Sequence, residues 1–161
     1  MSNDFSGQCL TPGFVLRSFP VGDRSLMVYF FTQEHGLLHL FANISQKKRA
    51  MLRSFSKIDI DYFGSGDRKK LKNLDIDLSD TSLHFKQSLW SYEILMSAYY
   101  LNELILKLLP KEIADPELFS VYERSLRELD ALSILQNKDK NLNKKDFYLN
   151  LNMCLRSFEW R

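Results

Sequence analysis

The chain has 161 residues, which is enough for one large domain or two small ones, and its formal net charge is only +2. A hydrophobic fraction of 45% excludes global disorder, because it supplies enough apolar side chains for a core. The only cysteines, Cys9 and Cys154, lie at opposite ends, so the sequence predicts no disulfide framework and no zinc site, and it favours a reducing cytoplasm. The N-terminal MSNDFSGQCLTPG is unlike a signal peptide, and the most apolar segment, residues 94–109, is too short to span a bilayer.

The first half of the sequence is patterned as β-strands. The segments GFVLRSF (13–19), SLMVYFFT (25–32) and LLHLFAN (37–43) are short, rich in β-formers and separated by the turns PVGDR and QEHG. In SKIDIDYF (56–63), apolar Ile58 and Ile60 alternate with Asp59 and Asp61, and the hairpin GSGDRK then leads to KLKNLDI (70–76). Five short strands joined by tight turns predict a small closed barrel.

The second half is patterned as helices. Residues 87–109 contain neither glycine nor proline and predict a first helix, which Pro110 ends. Its predicted apolar stripe consists of Leu89, Tyr92, Leu95, Met96, Tyr99, Leu104 and Leu108. Asp115 is a suitable N-cap for a second helix that begins at Pro116. Its predicted inner face consists of Leu118, Phe119, Tyr122, Leu126 and Leu129.

A polar connection, residues 138–146, precedes a third helical segment over residues 147–160. The inner face of this segment is predicted to consist of Leu149, Leu151, Met153, Leu155 and Phe158. The change of period near residues 77–87 divides the chain into a barrel domain, residues 1–80, and an all-α domain, residues 81–161. The predicted fold class is therefore α+β.

Positive charge is concentrated in residues 44–72, which carry nine basic and three acidic side chains. One basic cluster, in the loop between the third and fourth strands, comprises Lys47, Lys48, Arg49 and Arg53. The other, around the glycine hairpin, comprises Arg68, Lys69, Lys70 and Lys72. If both clusters flank one groove of the barrel, the groove will attract a polyanion. The alternative is that such lysines, Lys57 and Lys72 in particular, are merely solvated and protect edge strands from pairing.

Other functional signals are weaker. Phe41, Phe55, Tyr62 and Phe63 are near the basic residues, but a strand aromatic is more often part of the core than a stacking platform for bases. The three histidines, at positions 35, 39 and 84, lack metal-binding spacing, and the sequence contains no phosphate-binding GxxxxGK[ST] loop. The sequence therefore predicts no enzyme, no metal and no cofactor.

A series of short motifs follows a fixed order along the chain. The run GFVLRSFPVGDRSLMVYFFTQEHGLLHLFAN combines a strand, a short turn, a Ser-Leu strand, a Thr-x-Glu-x-Gly turn (Thr32, Glu34, Gly36) and another strand. The basic loop, GSGDRKKLK, SYEILMSAYYLNELILKLLP, DPELF and LRSFE come next. In this order, and over nearly the whole chain, the sequence resembles the RecO family of bacterial recombination mediators.

The resemblance implies an OB-fold barrel followed by a helical domain. It also implies a protein that binds single- and double-stranded DNA, anneals complementary strands and works with RecR to load RecA. Its implied location is the bacterial cytoplasm, at the nucleoid. By position, both basic clusters match the DNA-binding loop and hairpin of the family, with Arg17 and Arg24 as weaker candidates.

A second implied partner is the acidic C-terminal tail of the single-stranded-DNA-binding protein. Such a tail ends in apolar residues and a carboxylate, so its site needs an apolar pocket beside a cation. Arg156 stands at a family position that can serve, with Lys107 and Phe119 contributing. The alternative is that Arg156 only caps or pairs on the helix surface.

The sequence departs from the family in its basic loop and in its length. The loop begins ANISQKKR in place of an Ala-Lys-Gly-Ala-Arg-like entry, and the segment before the fourth strand is shorter than usual. The sequence stops at Arg161, where relatives continue with further helices and often a cysteine zinc site. We therefore expect a short member or a fragment, and a homodimer is one way to cover the last helix.

Two functions of different classes remain. The first is a DNA-binding recombination mediator. The alternative is an OB-fold protein-interaction module with weak or no DNA binding. Salt dependence distinguishes them, because only a protein that contacts several phosphates loses affinity steeply as salt rises.

Overall fold

The first structural unit is a closed five-stranded barrel. A computed structural model describes residues 10–75, 85, 87–138 and 143–159. The strands are β1 (Thr11–Val21), β2 (Ser25–Thr32), β3 (Gly36–Ala42), β4 (Lys57–Phe63) and β5 (Lys70–Asp75). They close in the order β1-β2-β3-β5-β4, with every neighbouring pair antiparallel except β3 and β5. This confirms the barrel expected from the five-strand pattern; the predicted strand end at residue 76 lies outside the described residues.

The interior of the barrel is filled by alternate strand residues, as a period of two requires. Val15, Val28, Phe30, Leu40 and Ile60 are among the fully buried members of this inner core. Ile58 and Ile60 point inward as predicted, and the aspartates between them point outward. The residues of this inner core form a cluster separate from the helices, so the barrel has a core of its own. Burial of each such side chain contributes about 1.5–3 kcal/mol to its stability.

Three long helices follow the barrel. They are α2 (Tyr92–Leu108), α3 (Pro116–Lys138) and α4 (Lys144–Glu159), and a four-residue helix, α1 (Gln46–Arg49), lies within the loop between β3 and β4. Asp115 caps α3 as predicted, because its Oδ1 accepts a hydrogen bond from the Leu118 amide at 2.9 Å. Helix α2 begins five residues later than predicted, since the Ser91 hydroxyl caps it and residues 87–89 form a separate 3-10 turn. The predicted end of the last helix at residue 160 lies outside the described residues.

The predicted apolar stripe of α2 is wrong. The residues that α2 buries are Ile94, Ser97, Ala98, Leu101, Asn102 and Ile105. Five predicted members are instead exposed: Leu89, Tyr92, Met96, Tyr99 and Leu108. The helix is apolar on more than one side, and the side with small residues permits the closest approach to its neighbours. Helical spacing alone does not choose between two apolar sides.

The predicted inner face of α4 is only partly correct. Leu151 and Phe158 are buried and Leu155 is half-buried, but Leu149 and Met153 are exposed. The buried side continues through Phe147 and Cys154, which keep the 3.6-residue period that Leu149 and Met153 break. On α3 the prediction succeeds more fully, because only Leu118 of its predicted inner face is less than fully buried.

A second core joins the helices to the outside of the barrel. The outward residues Phe14, Leu16, Phe31 and Leu37 belong to one cluster with buried residues of all three long helices, and Phe14 and Phe31 contact Phe119 and Tyr122 of α3. Leu16 is the extra residue of a β-bulge in β1, so its carbonyl has no partner in β2. The Asn102 Nδ2 of α2 donates to that carbonyl at 2.7 Å, and the Tyr122 hydroxyl of α3 donates to Asn102 Oδ1 at 2.5 Å. These hydrogen bonds hold α2 and α3 on the barrel at the bulge. Burial also raises the pKa of Tyr122 well above its ordinary value.

The predicted boundary near residue 80 lies outside the described residues, so the division into residues 1–80 and 81–161 stays a prediction. In the described part of the chain, no helix is both long and apolar enough to cross a membrane.

Candidate nucleic-acid interface

The loop between β3 and β4, which carries the first basic cluster, closes one end of the barrel. Leu52 belongs to the inner core, with Ile44 and Met51 packed against it. The Leu52 carbonyl also accepts a hydrogen bond from the Ser18 hydroxyl of β1 at 2.9 Å. These apolar residues turn inward, which leaves the charged positions between them on the outside. The loop is thus amphipathic: its apolar residues fill the end of the barrel, and its cations are left at the surface.

The four cations of this loop have different surroundings. Lys47, Lys48 and Arg53 are exposed, and within the described part of the chain none of them forms an ion pair. Arg49 is half-buried and bonded internally: its Nε donates to the Ile44 carbonyl at 3.4 Å, and its Nη2 donates to the Arg24 carbonyl. Arg49 therefore ties the loop to the turn between β1 and β2, and it brings the exposed Arg24 to the edge of the first cluster.

One contact joins the two basic clusters. Lys48 Nζ donates to Asn73 Oδ1 at 3.2 Å, across 25 positions of sequence. Asn73 lies on β5, one residue after Lys72 and three residues, about 10 Å, after Lys70. Lys72 is the extra residue of a bulge, because Tyr62 pairs with Leu71 while Asp61 pairs with Asn73. The loop and the outer side of β5 thus form one continuous surface, which the sequence left undecided.

The second cluster is largely neutralised within the fold. Lys69 is buried and its Nζ forms an ion pair with Glu112, while Lys72 Nζ lies 3.3 Å from Asp61 Oδ2. Arg68 and Lys70 remain exposed and form no ion pair among the described residues. Of the four predicted phosphate ligands in this cluster, the structure therefore leaves two fully available.

The segment between α2 and α3 packs against the hairpin and supplies Glu112, the partner of Lys69. Lys111 Nζ lies 3.6 Å from Asp67 Oδ1, and the Glu112 amide donates to the Leu37 carbonyl at 3.1 Å. The Thr-x-Glu-x-Gly turn makes this approach possible, because Gly36 has a φ of 65° and a Cβ there would lie 2.0 Å from the Ile113 carbonyl oxygen. No other residue type fits at that position. A segment distant in sequence thus removes Lys69 from the cations that face solvent.

The remaining basic residues of the region are structural or peripheral. Lys57 Nζ binds Glu123 Oε2 at 2.9 Å, which joins β4 to α3. Burial by itself raises the Glu123 pKa, but hydrogen bonds from Lys57 and Arg127 outweigh it, so the pKa is lowered overall. Arg17 is exposed above the Phe19 ring. The alternative that Lys57 is merely solvated is therefore wrong, because Lys57 is paired with Glu123 on α3 inside the fold.

The aromatic residues near the basic clusters differ in their exposure to solvent. Phe55 is fully buried, and Phe41 and Tyr62 are half-buried. Phe63 is 54% exposed, directly opposite Lys70 in the β4–β5 ladder. Burial followed by the charge of Lys111 lowers the pKa of His39, so this outward histidine adds no cation at neutral pH. Of the four aromatic candidates, Phe63 alone is both exposed and beside a free cation.

Comparison with known proteins identifies the family. A profile described as Recombination protein O N terminal matches residues 6–78, and one described as Recombination protein O C terminal matches residues 91–137. The chain belongs to the RecO family. It is 31% identical over 156 residues to the DNA repair protein RecO of Cupriavidus metallidurans, which covers 91% of this chain and 50% of the relative.

Two other relatives give the same result. The DNA repair protein RecO of Chromobacterium violaceum is 31% identical over 122 residues, 73% of this chain and 47% of the relative. That of Pseudomonas putida is 29% identical over 150 residues, 93% of this chain and 56% of the relative. The chain therefore spans about half the length of the RecO proteins that it matches.

The structure does not assemble the tail site that the RecO resemblance implied. Phe119 is 2% exposed and packs against Phe14 and Phe31, so it is not available at the surface. Lys107 is exposed beside Glu103, with 3.4 Å between Nζ and Oε2. Arg156 is exposed on α4, two positions from the buried Phe158, and residues at that spacing do not share a helix face.

An apolar cavity does exist near these residues. It has a volume of about 420 Å³, lies among the end of α2, the start of α3 and the end of α4, and includes Leu108, Leu118 and Phe158. Its ionisable lining residues are Asp115 and Glu159, which repel an acidic tail. Among the described residues, moreover, no group of three His, Cys, Asp or Glu side chains is placed to hold a metal ion.

Proposed function

We propose that this chain is a DNA-binding recombination mediator whose barrel grips the phosphate backbone without reading sequence. The observation that carries the proposal is the bond from Lys48 to Asn73, because it merges two basic clusters into one surface. This surface, the basic face, consists of Arg24, Lys47, Lys48, Arg53, Arg68 and Lys70, with Lys72 at its edge. Membership of a family whose relatives are named DNA repair protein RecO supports the same proposal.

The basic face suits a flexible polyanion. Its cations come from three loops and a strand and are exposed, so they neutralise phosphates with little desolvation of buried groups. None of them is positioned by a rigid bidentate partner, which argues for electrostatic contact and not for the geometric recognition of one base. We expect binding of single- and double-stranded DNA of any sequence.

Salt dependence is the test of this proposal. The binding of a fluorescent single-stranded oligonucleotide is measured by anisotropy over a range of salt concentrations. For single strands the logarithmic salt slope changes by about 0.7 for each phosphate contact. Replacing Lys47, Lys48 and Arg53 together with Ala should weaken binding about a hundredfold at low salt and flatten the slope by about 2.

The matched control removes the same charge from positions outside the basic face. Lys138, Lys144 and Lys145 are exposed at the ends of α3 and α4, and their replacement with Ala should leave the salt slope unchanged. If the native chain fails to bind DNA at low salt, the mediator proposal is wrong and the interaction-module alternative replaces it. If both triple variants lose affinity equally, the effect is net charge and the basic face is not the site.

The mediator role further includes annealing of complementary strands and loading of RecA together with RecR. Both activities need a protein that holds a flexible strand without sequence preference, which the basic face supports. In an annealing assay with two complementary labelled strands, the basic-face variant should anneal slowly while the control variant behaves like the native chain. An equal rate for the two variants would contradict this part of the proposal.

We also propose that the chain binds the acidic tail of the single-stranded-DNA-binding protein. Of the three predicted tail residues, Arg156 and Lys107 are at the surface. The variant Arg156→Ala should weaken binding of an acidic peptide with an apolar C-terminus and leave DNA binding intact, and Arg124→Ala on α3 is the control.

We also propose a homodimer. It would cover the exposed Leu135 and Met153, which line a cavity of about 640 Å³ between α3 and α4. Sedimentation across a concentration range tests it.

A further inference from the structure

The outward side of α2 carries a row of partly exposed aromatic and methionine side chains. Tyr92 is 73% exposed, and Met96 and Tyr99 are about 40% exposed. Their spacing of four and three residues places them on one side of the helix, opposite the buried Ala98 and Leu101. We call Tyr92, Met96 and Tyr99 the tyrosine row. Exposed Tyr and Met side chains in a contiguous row are typical of binding surfaces.

The tyrosine row lies beside the C-terminal end of the basic loop between β3 and β4. The Tyr99 ring lies 5.0 Å from the Phe55 ring, centroid to centroid, and Phe55 follows Arg53 by two residues. A second contact holds this junction, because Gln87 Nε2, just before α2, donates to the Ser54 carbonyl at 2.8 Å. The cations of the loop and the rings of α2 are therefore neighbouring parts of one surface.

Charge is distributed unevenly across the tyrosine row. On the side of the basic loop stands Arg53. On the side of α4, carboxylates bind other tyrosines: the Tyr100 hydroxyl donates to Glu159 at 2.6 Å, and the Tyr148 hydroxyl lies 3.5 Å from Glu93. A ligand with an anionic edge and an uncharged aromatic edge fits this arrangement, with its anionic edge on the barrel side. Single-stranded DNA has these two edges.

We propose that the tyrosine row is a stacking platform for the bases of single-stranded DNA whose phosphates lie on the basic face. Tyr92 and Tyr99 are seven residues apart, about 10 Å along the helix axis, which leaves room for separate bases to stack on each ring. Stacking on a tyrosine tolerates any base, because every base has a π-face. The inference rests on the proposed function, and it adds a preference for single strands that the cations alone do not create.

The test compares three probes of about 15 nucleotides: a thymidine oligonucleotide, an abasic oligonucleotide of the same charge, and a duplex. Tyr92→Leu combined with Tyr99→Leu should weaken binding of the thymidine strand about tenfold or more. Binding of the abasic strand and of the duplex should not change, because neither offers unstacked bases. The salt slope should also stay constant, because no phosphate contact is removed. Tyr148→Leu on α4 is the matched control and should behave like the native chain.

The outcomes separate this inference from the proposed function. If the native chain binds all three probes and the double variant binds them equally well, the platform is wrong and the DNA-binding proposal stands. If the native chain binds none, both are wrong. A loss that is equal on the thymidine and abasic strands also overturns the platform, because stacking is then not its cause. Tyr92→Leu alone guards against misfolding, since Tyr92 is the most exposed ring of the row, and it should still weaken binding of the thymidine strand selectively.

Discussion

The loop between β3 and β4 and the hairpin cluster, Arg68 to Lys72, have equal numbers of cations in the sequence and different numbers of unpaired cations at the surface. Each contributes four cations. In the loop, three of the four face solvent without an ion pair among the described residues, and Arg49 alone is bonded internally. In the hairpin, Lys69 and Lys72 are paired with Glu112 and Asp61. The loop is therefore the main source of positive potential, and the hairpin is mainly an anchor.

The difference arises from what packs against each segment. The loop turns its apolar residues into the end of the barrel, and its exposed cations form no ion pair within the part of the chain that the structure describes. The hairpin instead meets the segment between α2 and α3, which supplies Glu112 and contacts β3 beside Gly36. A count of basic residues in sequence thus overstates the charge available to DNA, because paired cations neutralise no phosphate.

Lys69→Met should have the largest effect on stability, because it breaks the anchor of the hairpin. Methionine keeps the aliphatic stem but leaves the Glu112 carboxylate without its partner. We expect a loss of about 1–2 kcal/mol in the free energy of unfolding, less than for a fully buried pair, since Glu112 is about half exposed. Urea denaturation measures it, with Lys70→Met, at the neighbouring exposed lysine, as the control. Similar losses of stability for the two variants would contradict the assignment of Lys69 as a structural residue and Lys70 as a surface cation.

Asn73→Asp should pair a loop cation with a carboxylate, as the hairpin cations Lys69 and Lys72 already are. A carboxylate at this position would pair with Lys48, whose Nζ is 3.2 Å from Asn73 Oδ1. We expect DNA affinity to fall about threefold to tenfold at low salt, from the added negative charge and the occupied lysine, with stability within about 0.5 kcal/mol of the native value. Asn150→Asp, an exposed position on α4, is the control in the same anisotropy assay. An unchanged affinity for Asn73→Asp would show that Lys48 does not contact DNA.

The smallest expected effect is on the pH dependence of stability, through the third internally paired cation, Lys57. The Glu123 pKa is lowered in the folded chain, so the unfolded chain binds the proton more readily. The pair therefore stabilises the fold above the unfolded pKa of about 4.3. That contribution is lost as pH falls from there through the lower folded pKa. Glu123→Gln should remove up to about 1 kcal/mol of this acid dependence, measured by thermal unfolding between neutral and acidic pH.

Sequence patterns predicted the strands better than the helix faces. A strand has two faces, so the alternation of Ile58 and Ile60 with aspartates leaves one solution once a barrel is assumed. Helix α2 is apolar on several sides, and Tyr99 and Leu101 satisfy the same apolar rule. The choice between them depends on contacts with α3, α4 and the bulge at Leu16. For the same reason, Phe119 was predicted both as a core residue and as a ligand contact, and the packing allowed only the first.

The sequence predicted which residues belong to the candidate interface but not how they are arranged or which of them are exposed. The sequence identified the basic residues, but it did not show that Lys48 reaches Asn73 or that Lys69 is buried. It also assigned Tyr92 and Tyr99 to the core, which concealed the tyrosine row. The one signal available was that the two sides of α2 are both apolar, so that one of them had to face solvent.

By itself, the sequence determined the strand and helix order, the N-cap at Asp115, the family and the concentration of positive charge in residues 44–72. These follow from local periodicity, cap chemistry and composition, which need only neighbouring residues. Only the tertiary structure decided which cations face solvent and which side of α2 does. Both depend on partners far away in sequence, such as Glu112 for Lys69 and Asn73 for Lys48. Ion pairing and close packing act between residues that the fold brings together, so no local pattern contains that information.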